Sequence, residues 1–409
     1  MKNQQGSLRL VGYEDIEHSL PIVVDYAFDE IPDLFVCALG FEKRTLSIPG
    51  ELAGKIGNQV AKGKLACYCL YQDNNKDNEE NRTPLLNSLA AAFARTTSLP
   101  ADDPGSLRQQ LSAELQQLVD SSDRFVTVQF DISAASGNLI LSLMATLIEF
   151  SKTRKVSLRI VYAEAALYYP TQTEFASSCD DLVARACAPG DSTSSHEYGV
   201  SGVEFNELYP GQSIESRPEF IIALPAYRTE RLARCIRRIS SQPPISSLGR
   251  VFWILGQPPD QANNWRLDFQ FRVINKLLSA LVGDTGESGN APRLDSENSC
   301  ATSTLHYAQT TRKILELIDS HRGYSTSLVH MGAKMQALGV ALALAVRSEV
   351  AVSYARPTKF NANHYSDGVG AKWQVTFQDL GMVIESLTQI GMLQLTTNIE
   401  TFRTGKPLH

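Results

Sequence analysis

The feature that most constrains this chain is an internal repeat. Two successive series of short runs rich in Val, Ile, Leu and Phe each alternate with stretches of helical periodicity. Such runs are typical of buried strands, and their alternation with helices predicts a parallel sheet covered by helices on both faces. The predicted strands span residues 34–39, 65–71, 125–130 and 157–162 in the first series, and 220–224, 250–255, 326–330 and 350–354 in the second.

The loops between these elements also correspond. After the first strand, ALGFEKRTL in one series matches ALPAYRTERL in the other, and after the third strand, DISAASGNLILSLMATL matches HMGAKMQALGVALAL. The fourth strands, RIVYAEAALYYP and AVSYARPTKFNANHY, each run into an aromatic loop, and a hairpin-like piece follows each of them. Agreement at successive stations indicates duplication. The sequence therefore predicts an α/β fold of two tandem Rossmann-like units with mainly parallel sheets and flanking helices.

A chain of 409 residues is longer than a single hydrophobic core usually organises. We predict a first unit over residues 1–212 and a second over 213–409, with the boundary near the segment GQSIESRP. A polar, Gly- and Ser-rich stretch at 283–304 predicts a flexible insertion in the second unit, and residues 188–195 predict a shorter flexible loop. Where the two sets of loop tips face each other, we expect a shared polar cleft.

Charge and composition exclude several classes of protein. The net charge of −6 argues against a protein that wraps nucleic acid without specificity. The cysteines lack metal-ligand spacing, and the sequence indicates neither a metal nor a cofactor. The absence of a signal peptide or of a membrane-length apolar run predicts a cytoplasmic protein. The acidic stretch at 73–80 lacks the central glycine of a calcium loop and is interpreted as solvated. One helix face carries a basic run, which either faces solvent or docks a partner: Arg228, Arg231, Arg234, Arg237 and Arg238.

Ligands of open parallel sheets bind at the carboxyl ends of the strands, so the loops after the first and third strands are the candidate sites. After the first strand, Gly40 permits a tight turn, Arg44 is suited to phosphate or carboxylate, and Glu42 can accept hydrogen bonds from a base or sugar. The alternative is that Glu42 and Arg44 simply pair with each other.

After the third strand of the first unit, the loop begins with a carboxylate, Asp131, and continues through small polar residues into a helix. This pattern brings backbone close to an anion or sugar, although a serine or asparagine there can equally be only a helix cap. The candidate ligand-binding residues of this loop are Asp131, Ser133, Ser136, Gly137 and Asn138.

The matching loop of the second unit contains His330, Gly332, Lys334 and Gln336, and Arg228 follows the first strand of that unit. Lys334 falls in the first turn of a helix, where the helix dipole disfavours a cation unless an anion is present. This placement favours an anionic ligand, and the alternative is a lysine whose ammonium group simply reaches solvent.

No GxSxG, HExxH, Walker or GxGxxG motif is present, so standard hydrolase, zinc-protease, P-loop and dinucleotide sites lack their parts. A catalytic set assembled in space from Asp131, Ser136 and His330 is nevertheless possible.

The chain resembles the CARF and SAVED sensors of bacterial antiviral defence in three features. These are the duplicated layout, the DISAASGN loop, and the HMGAKMQALGVALAL segment that leads to AVSYARP. The resemblance implies a protein that binds a nucleotide-type signal between its two units. Because the units use almost the whole sequence, it also implies a separate effector protein as partner. Two alternatives stay open: an enzyme that cleaves or transfers on a nucleotide in the same cleft, and a scaffold that docks a partner through the basic helix.

Overall fold

The computed structural model describes residues 12–56, 63–71, 76–119, 124–188, 197–214, 216–239, 250–283, 293–360 and 365–390. Within these ranges the chain forms two large sheets flanked by helices, consistent with two Rossmann-like units. The predicted fold class is therefore confirmed.

The first sheet has the strand order β1-β15-β6-β5-β2-β3-β4 in the described part of the chain. Strands β2 to β6 run parallel, whereas β15 is antiparallel to both of its neighbours. The strands are β1 (Val24–Asp25), β2 (Leu34–Ala38), β3 (Gly63–Leu70), β4 (Phe93–Pro100), β5 (Val126–Asp131), β6 (Val156–Ala163) and β15 (Lys372–Phe377).

The second sheet has the order β11-β10-β9-β12-β13-β8, with β8 antiparallel to β13 and the rest parallel. A two-stranded sheet joins β7 (Leu167–Tyr168) to β14 (Ser366–Asp367). The strands of the second sheet are β8 (Glu197–Pro210), β9 (Glu219–Leu224), β10 (Val251–Gln257), β11 (Ser299–Ser303), β12 (Ser325–His330) and β13 (Ala351–Phe360).

The two sheets have the same topology and exchange their antiparallel strands. In each sheet an antiparallel strand flanks the fourth strand of the repeat, and the third, first and second strands follow in that order. However, β8 precedes residue 212 and pairs in the second sheet, while β15 comes from the second half and pairs in the first. A cut at the predicted boundary would therefore separate two strands from their sheets.

Helices cover both faces of the sheets, and two of them join the units. The helix that follows β5 packs against the helix that follows β12, and both are buried almost all round, as expected for helices in the interior of a large core. The helices are α1 (Glu14–Ser19), α2 (Ser47–Ile56), α3 (Lys76–Ala92), α4 (Pro104–Leu118), α5 (Gly137–Ser151), α6 (Gln172–Cys187), α7 (Glu230–Ile239), α8 (Trp265–Gly283), α9 (Tyr307–Ser320), α10 (Lys334–Ala345) and a last helix over 380–390.

One hydrophobic cluster contains residues from both sheets and from α5 and α10. The seam between the units is thus mainly apolar, and the expected polar cleft is reduced to the region where α5 and α10 begin. A close approach explains the small residues of α10: a Cβ at Gly339 would lie 2.5 Å from the Tyr307 carbonyl oxygen of α9.

Two strands are not among the predicted ones. β4 begins at Phe93, directly after α3, and pairs with β3. The stretch at 283–304, expected to be a flexible insertion, contains β11, which pairs in parallel with β10. Its sequence, SCATS, is small and polar, and pairing at the edge of an existing sheet compensates for the weak strand pattern. Residues 284–292 lie outside the described part, as do most residues of the loop expected at 188–195.

None of the described helices is both long enough and apolar enough to span a membrane.

We predict that Phe377→Ala in β15 destabilises the whole protein. Phe377 is fully buried and its ring lies 5.8 Å from that of Tyr307 in α9, so the substitution leaves a cavity between the exchanged strand and the second unit. A loss of about 3–5 kcal/mol is expected. Because the core is shared, chemical denaturation followed by circular dichroism should show a single transition for both units.

Met382→Ala is the matched control, since Met382 is 55% exposed and its truncation should change the unfolding free energy by less than about 0.5 kcal/mol. Two separate transitions in the Phe377 variant would contradict the shared core.

Candidate functional site

The third-strand loops of the two units meet at the start of α5 and α10. The Lys334 ammonium nitrogen donates to the Ala135 carbonyl oxygen over 2.6 Å, and the His330 ring packs on Gly137. Each contact joins a residue of one unit to a loop of the other. Loops at equivalent stations of the repeat are therefore neighbours, as the sequence predicts, and we call this region the junction.

Glu42 and Arg44, next to the junction, form a buried ion pair. The Arg44 Nη2 lies 2.6 Å from Glu42 Oε1, and Arg44 also donates to the Tyr168 hydroxyl over 3.0 Å. Ser366, from the second half of the chain, donates to Glu42. The arginine is only 1% exposed, so it is already neutralised and enclosed. Of the two interpretations of these residues, mutual pairing is the one observed, and Arg44 is not an open phosphate clamp.

Asp131, at the end of β5, is fixed by its own loop. One carboxylate oxygen accepts from the Ser133 backbone N–H at 2.9 Å and from the Ser133 hydroxyl, which in turn accepts from the Ala163 N–H at 2.8 Å. Burial raises the pKa of Asp131 to about 6, although the Ser133 hydrogen bonds and the charges of Arg44 and Lys334 act in the opposite direction. Asp131 is therefore a structural anchor of the loop with a carboxylate close to Lys334.

The first turn of α5 is capped by its own sequence. The Ser136 hydroxyl accepts from the Leu139 N–H at 3.2 Å, while the Ser136 N–H donates to the Tyr71 hydroxyl at 2.7 Å. The Asn138 side-chain oxygen accepts from Asn206 at 2.8 Å. Ser136 itself is exposed. A capping role for Ser136 is thus observed, and it leaves the N–H groups of Gly137 and Asn138 without an acceptor inside the helix.

Gly40 brings the first-strand loop close to this turn. A Cβ on Gly40 would lie 2.8 Å from the Cβ of Ala134, so a larger residue would push the two loops apart. The Gly40 carbonyl oxygen accepts from Asn81 at 2.8 Å.

The first turn of α10 is less well satisfied. Its N-cap position is occupied by Ala333, whose side chain offers no acceptor, and only the Gln336 side chain folds back, accepting from the Ala333 N–H at 3.0 Å. Gly332 leaves space for this side chain, because a Cβ there would lie 2.6 Å from Gln336 Oε1. The Gln336 amide also donates to Thr302 at 3.0 Å.

Lys334 is a cation in an unfavourable position. Burial lowers its pKa to about 8, and the Arg44 charge acts in the same direction, whereas Glu42 and Asp131 oppose the shift. The charges of Arg44, Glu42 and Asp131 thus reach Lys334, and Ser136 follows the Ala135 carbonyl that Lys334 contacts. The residues that the sequence analysis places in one site, Arg44, Asp131, Ser136 and Lys334, are therefore brought together.

His330 ends β12 and is only 7% exposed. Among the described residues neither of its enclosed ring nitrogens has a hydrogen-bond partner. Burial lowers the pKa of His330 to about 4, and the charges of Arg231 and Lys334 act in the same direction. A contact with the Ala333 backbone, which does not meet the geometry of a hydrogen bond, acts in the opposite direction. His330 is thus a neutral imidazole with unused hydrogen-bonding capacity.

The proposed catalytic set of Asp131, Ser136 and His330 is not assembled. Asp131 binds Ser133, the Ser136 hydroxyl caps Leu139, and within the described residues no hydrogen bond reaches the His330 ring. A serine nucleophile requires a base in hydrogen-bond reach, and this arrangement provides none.

Two other groups of candidates lie elsewhere. Arg228 is buried after β9 and donates to the Arg185 carbonyl at 2.9 Å, so it holds the end of α6 against the second unit. On α7, Arg234, Arg237 and Arg238 are exposed, whereas Arg231 reaches the Ala355 carbonyl. The acidic stretch at 73–80 lies partly outside the described residues, and from Lys76 it belongs to α3.

Sequence reasoning missed several side chains of the site. Tyr71 ends a predicted strand, and Tyr168 and Ser366 lie on the small β7–β14 sheet. The repeated tyrosine and the aromatic loops were visible signals, but a single sequence does not show that an aromatic loop folds over an arginine more than one hundred residues away.

No protein-family model matches the chain, and no curated protein resembles it in sequence. Among solved structures it is weakly similar to a UDP-forming α,α-trehalose-phosphate synthase from Burkholderia xenovorans. The two share 8% identity over 91% of this chain and 98% of that one, with a TM-score of 0.17. A likeness at this level carries no argument about function.

We predict that Ala333→Ser stabilises the protein. The N-cap backbone at this position is extended, with φ −68° and ψ 155°, which suits a serine hydroxyl that accepts from the first turn of α10. The unfolding free energy should rise by about 1 kcal/mol, measured by urea denaturation. Ala333→Val, which adds bulk without an acceptor, is the control and should not stabilise.

We also predict that His330→Gln removes a loss of stability in acid. The folded pKa of about 4 lies below the ordinary value of 6.5, so the unfolded chain binds more protons between these values and the protein loses stability as the pH falls through this window. Relative to neutral pH, the loss due to this group should be about 2 kcal/mol at about pH 5.

The measurement is the difference in unfolding free energy between neutral and acid pH, which is independent of any packing defect in the variant. Asp131, whose folded pKa is raised, contributes with the opposite sign and is unchanged in both proteins. Equal pH dependence in wild type and variant would refute the assignment to His330.

Proposed function

We propose that this chain is a ligand-sensing or regulatory protein that binds an anionic, nucleotide-type signal between its two units. The observation that carries the proposal is the junction, where Lys334 of the second unit contacts Ala135 of the first and His330 lies against Gly137.

The electrostatics of the junction favour an anion. The N-termini of α5 and α10 meet there, and each has N–H groups without an acceptor inside its helix and the positive end of a helix dipole. Lys334 adds a third positive contribution. Anions bind readily at such helix ends, and a phosphate group satisfies the N–H groups and offsets the charge together.

A nucleotide is favoured over a simple inorganic ion because groups beside the junction can recognise a sugar or base. Ser136 is exposed at the start of α5, where its hydroxyl accepts from Leu139 and keeps its own hydrogen to donate. Asn138 lies beside it, and its side-chain oxygen accepts from Asn206 while its amide N–H groups can donate. The resemblance to CARF and SAVED sensors points the same way and suggests a signal of bacterial antiviral defence, with a separate effector protein as partner.

The contacts between the units offer a route from the ligand to a partner. Ser366 of the second half binds Glu42 of the first, and Lys43 binds Asp367 over 2.9 Å. A movement of the first-strand loop is therefore expected to move β14 as well.

Binding is favoured over turnover because the hydroxyls of Ser133 and Ser136 are occupied by structural hydrogen bonds.

We predict that titration calorimetry against a panel of cyclic and linear nucleotides finds a ligand, and that Lys334→Gln weakens its binding. Loss of a charge-assisted hydrogen bond is expected to raise Kd by about 10- to 100-fold. Lys152→Gln is the control, because Lys152 lies at the far end of α5, is 60% exposed and pairs with Glu149.

Failure of every nucleotide to bind folded protein would refute the proposal. Turnover of a bound nucleotide that disappears in Asp131→Ala while binding persists would favour the enzyme. Salt-sensitive co-purification with a partner, lost when Arg234, Arg237 and Arg238 are reversed in charge, would favour the scaffold.

A further inference from the structure

We propose that the first turns of α5 and α10 hold the phosphate group of the ligand together with Lys334 and His330, and that binding there transfers a proton from solvent to His330. This inference rests on the proposed function and specifies which part of the ligand the junction takes. It also makes the affinity of the site depend on pH.

Two residues at the start of α10 destabilise the helix. Alanine is among the poorest N-cap residues, and a lysine in the first turn opposes the helix dipole, yet Ala333 and Lys334 occupy these two positions in succession. The N–H groups of the first turn have no acceptor within the helix. A bound anion supplies the missing acceptor and the missing negative charge at one position.

His330 provides a second and independent indication of a ligand. It is more than nine-tenths buried, and neither ring nitrogen has a partner among the residues the structure describes. A Cβ at Gly137 would lie 2.5 Å from its Nδ1, so the ring is directed at the first residue of α5 and requires glycine there. Buried polar groups are normally hydrogen-bonded, and an anion seated on the start of α5 gives this imidazole its partner.

The charges facing His330 explain the direction of the proton transfer. Lys334 from α10 and Arg231 from α7 disfavour the imidazolium, as does the start of α5, and Asp131 and Glu42 act on the neighbouring lysine. A dianion at the junction reverses the sign of the local field. The imidazole then gains a proton on the nitrogen that faces the anion, and this N–H donates to an anion oxygen.

The test uses sulfate, which remains a dianion throughout the range measured, so that any pH dependence belongs to the protein. Affinity is measured by calorimetry on the full chain at about pH 5.5 and about pH 7.5, in buffers of different ionisation enthalpy. We expect sulfate to bind at least several-fold tighter at the lower pH, with net proton uptake. In His330→Gln the proton uptake at the lower pH and most of the pH dependence should disappear, and residual dependence near pH 8 belongs to Lys334.

Ala333→Asp gives a readout that does not depend on His330. Its carboxylate caps α10 and occupies the position of the anion, so this variant should unfold at a higher temperature and lose sulfate binding. Equal sulfate affinity at both pH values, a pH dependence as large in His330→Gln as in the wild type, or wild-type sulfate binding by Ala333→Asp would each overturn the inference.

The two proposals fail in distinguishable ways. Nucleotide binding without sulfate binding or proton uptake overturns the inference about His330 and leaves the proposed function in place. Proton-linked sulfate binding without binding of any nucleotide supports the anion site and refutes the nucleotide.

Discussion

The packing of α5 against α10 is the contact on which the rest of the structure depends. Both helices follow the third strand of a repeat, and both are buried along nearly their whole length, so neither can leave the other without exposing a large apolar surface. The exchange of β8 and β15 adds backbone hydrogen bonds between the halves. The two units therefore share one hydrophobic core.

This contact also determines where chemistry can occur. Because the seam is apolar, polar groups are confined to its end, where the two helices begin and where the third-strand loops lie. The buried Glu42–Arg44 pair closes one side of that region. A buried ion pair contributes little net stability, but removing one partner strands the other charge, so the pair holds the loop in place and keeps Tyr168 and Ser366 over it.

The strands and helices of both repeats are predictable from the sequence because each has a continuous apolar pattern that repeats at matching stations. The edge strands β4 and β11 are not, because their largely polar sequences form strands only by pairing with the neighbouring β3 and β10. The exchange of β8 and β15 cannot be predicted either, since a strand that pairs antiparallel beside the fourth strand of a repeat fits both sheets equally well by its pattern. At the site, the loops and Lys334 follow from position in the fold. The sequence left two interpretations of Glu42 and Arg44 open because the pair becomes buried only in the folded protein, where Tyr162 and Tyr168 lie against Arg44.

The two units have the same topology but not the same site. Asp131 and His330 end equivalent strands, and burial moves the pKa of each toward its neutral form, upward for the carboxyl and downward for the imidazole. The first copy satisfies its residue internally through Ser133, whereas in the second copy a shorter loop with Gly332 provides no hydroxyl at that point. Of these two residues, it is therefore His330 of the second unit whose buried ring nitrogens have no hydrogen-bond partner in the described part of the chain. The His330 ring faces the start of α5 across the seam, and this asymmetry favours one anion at the junction over two symmetric ones.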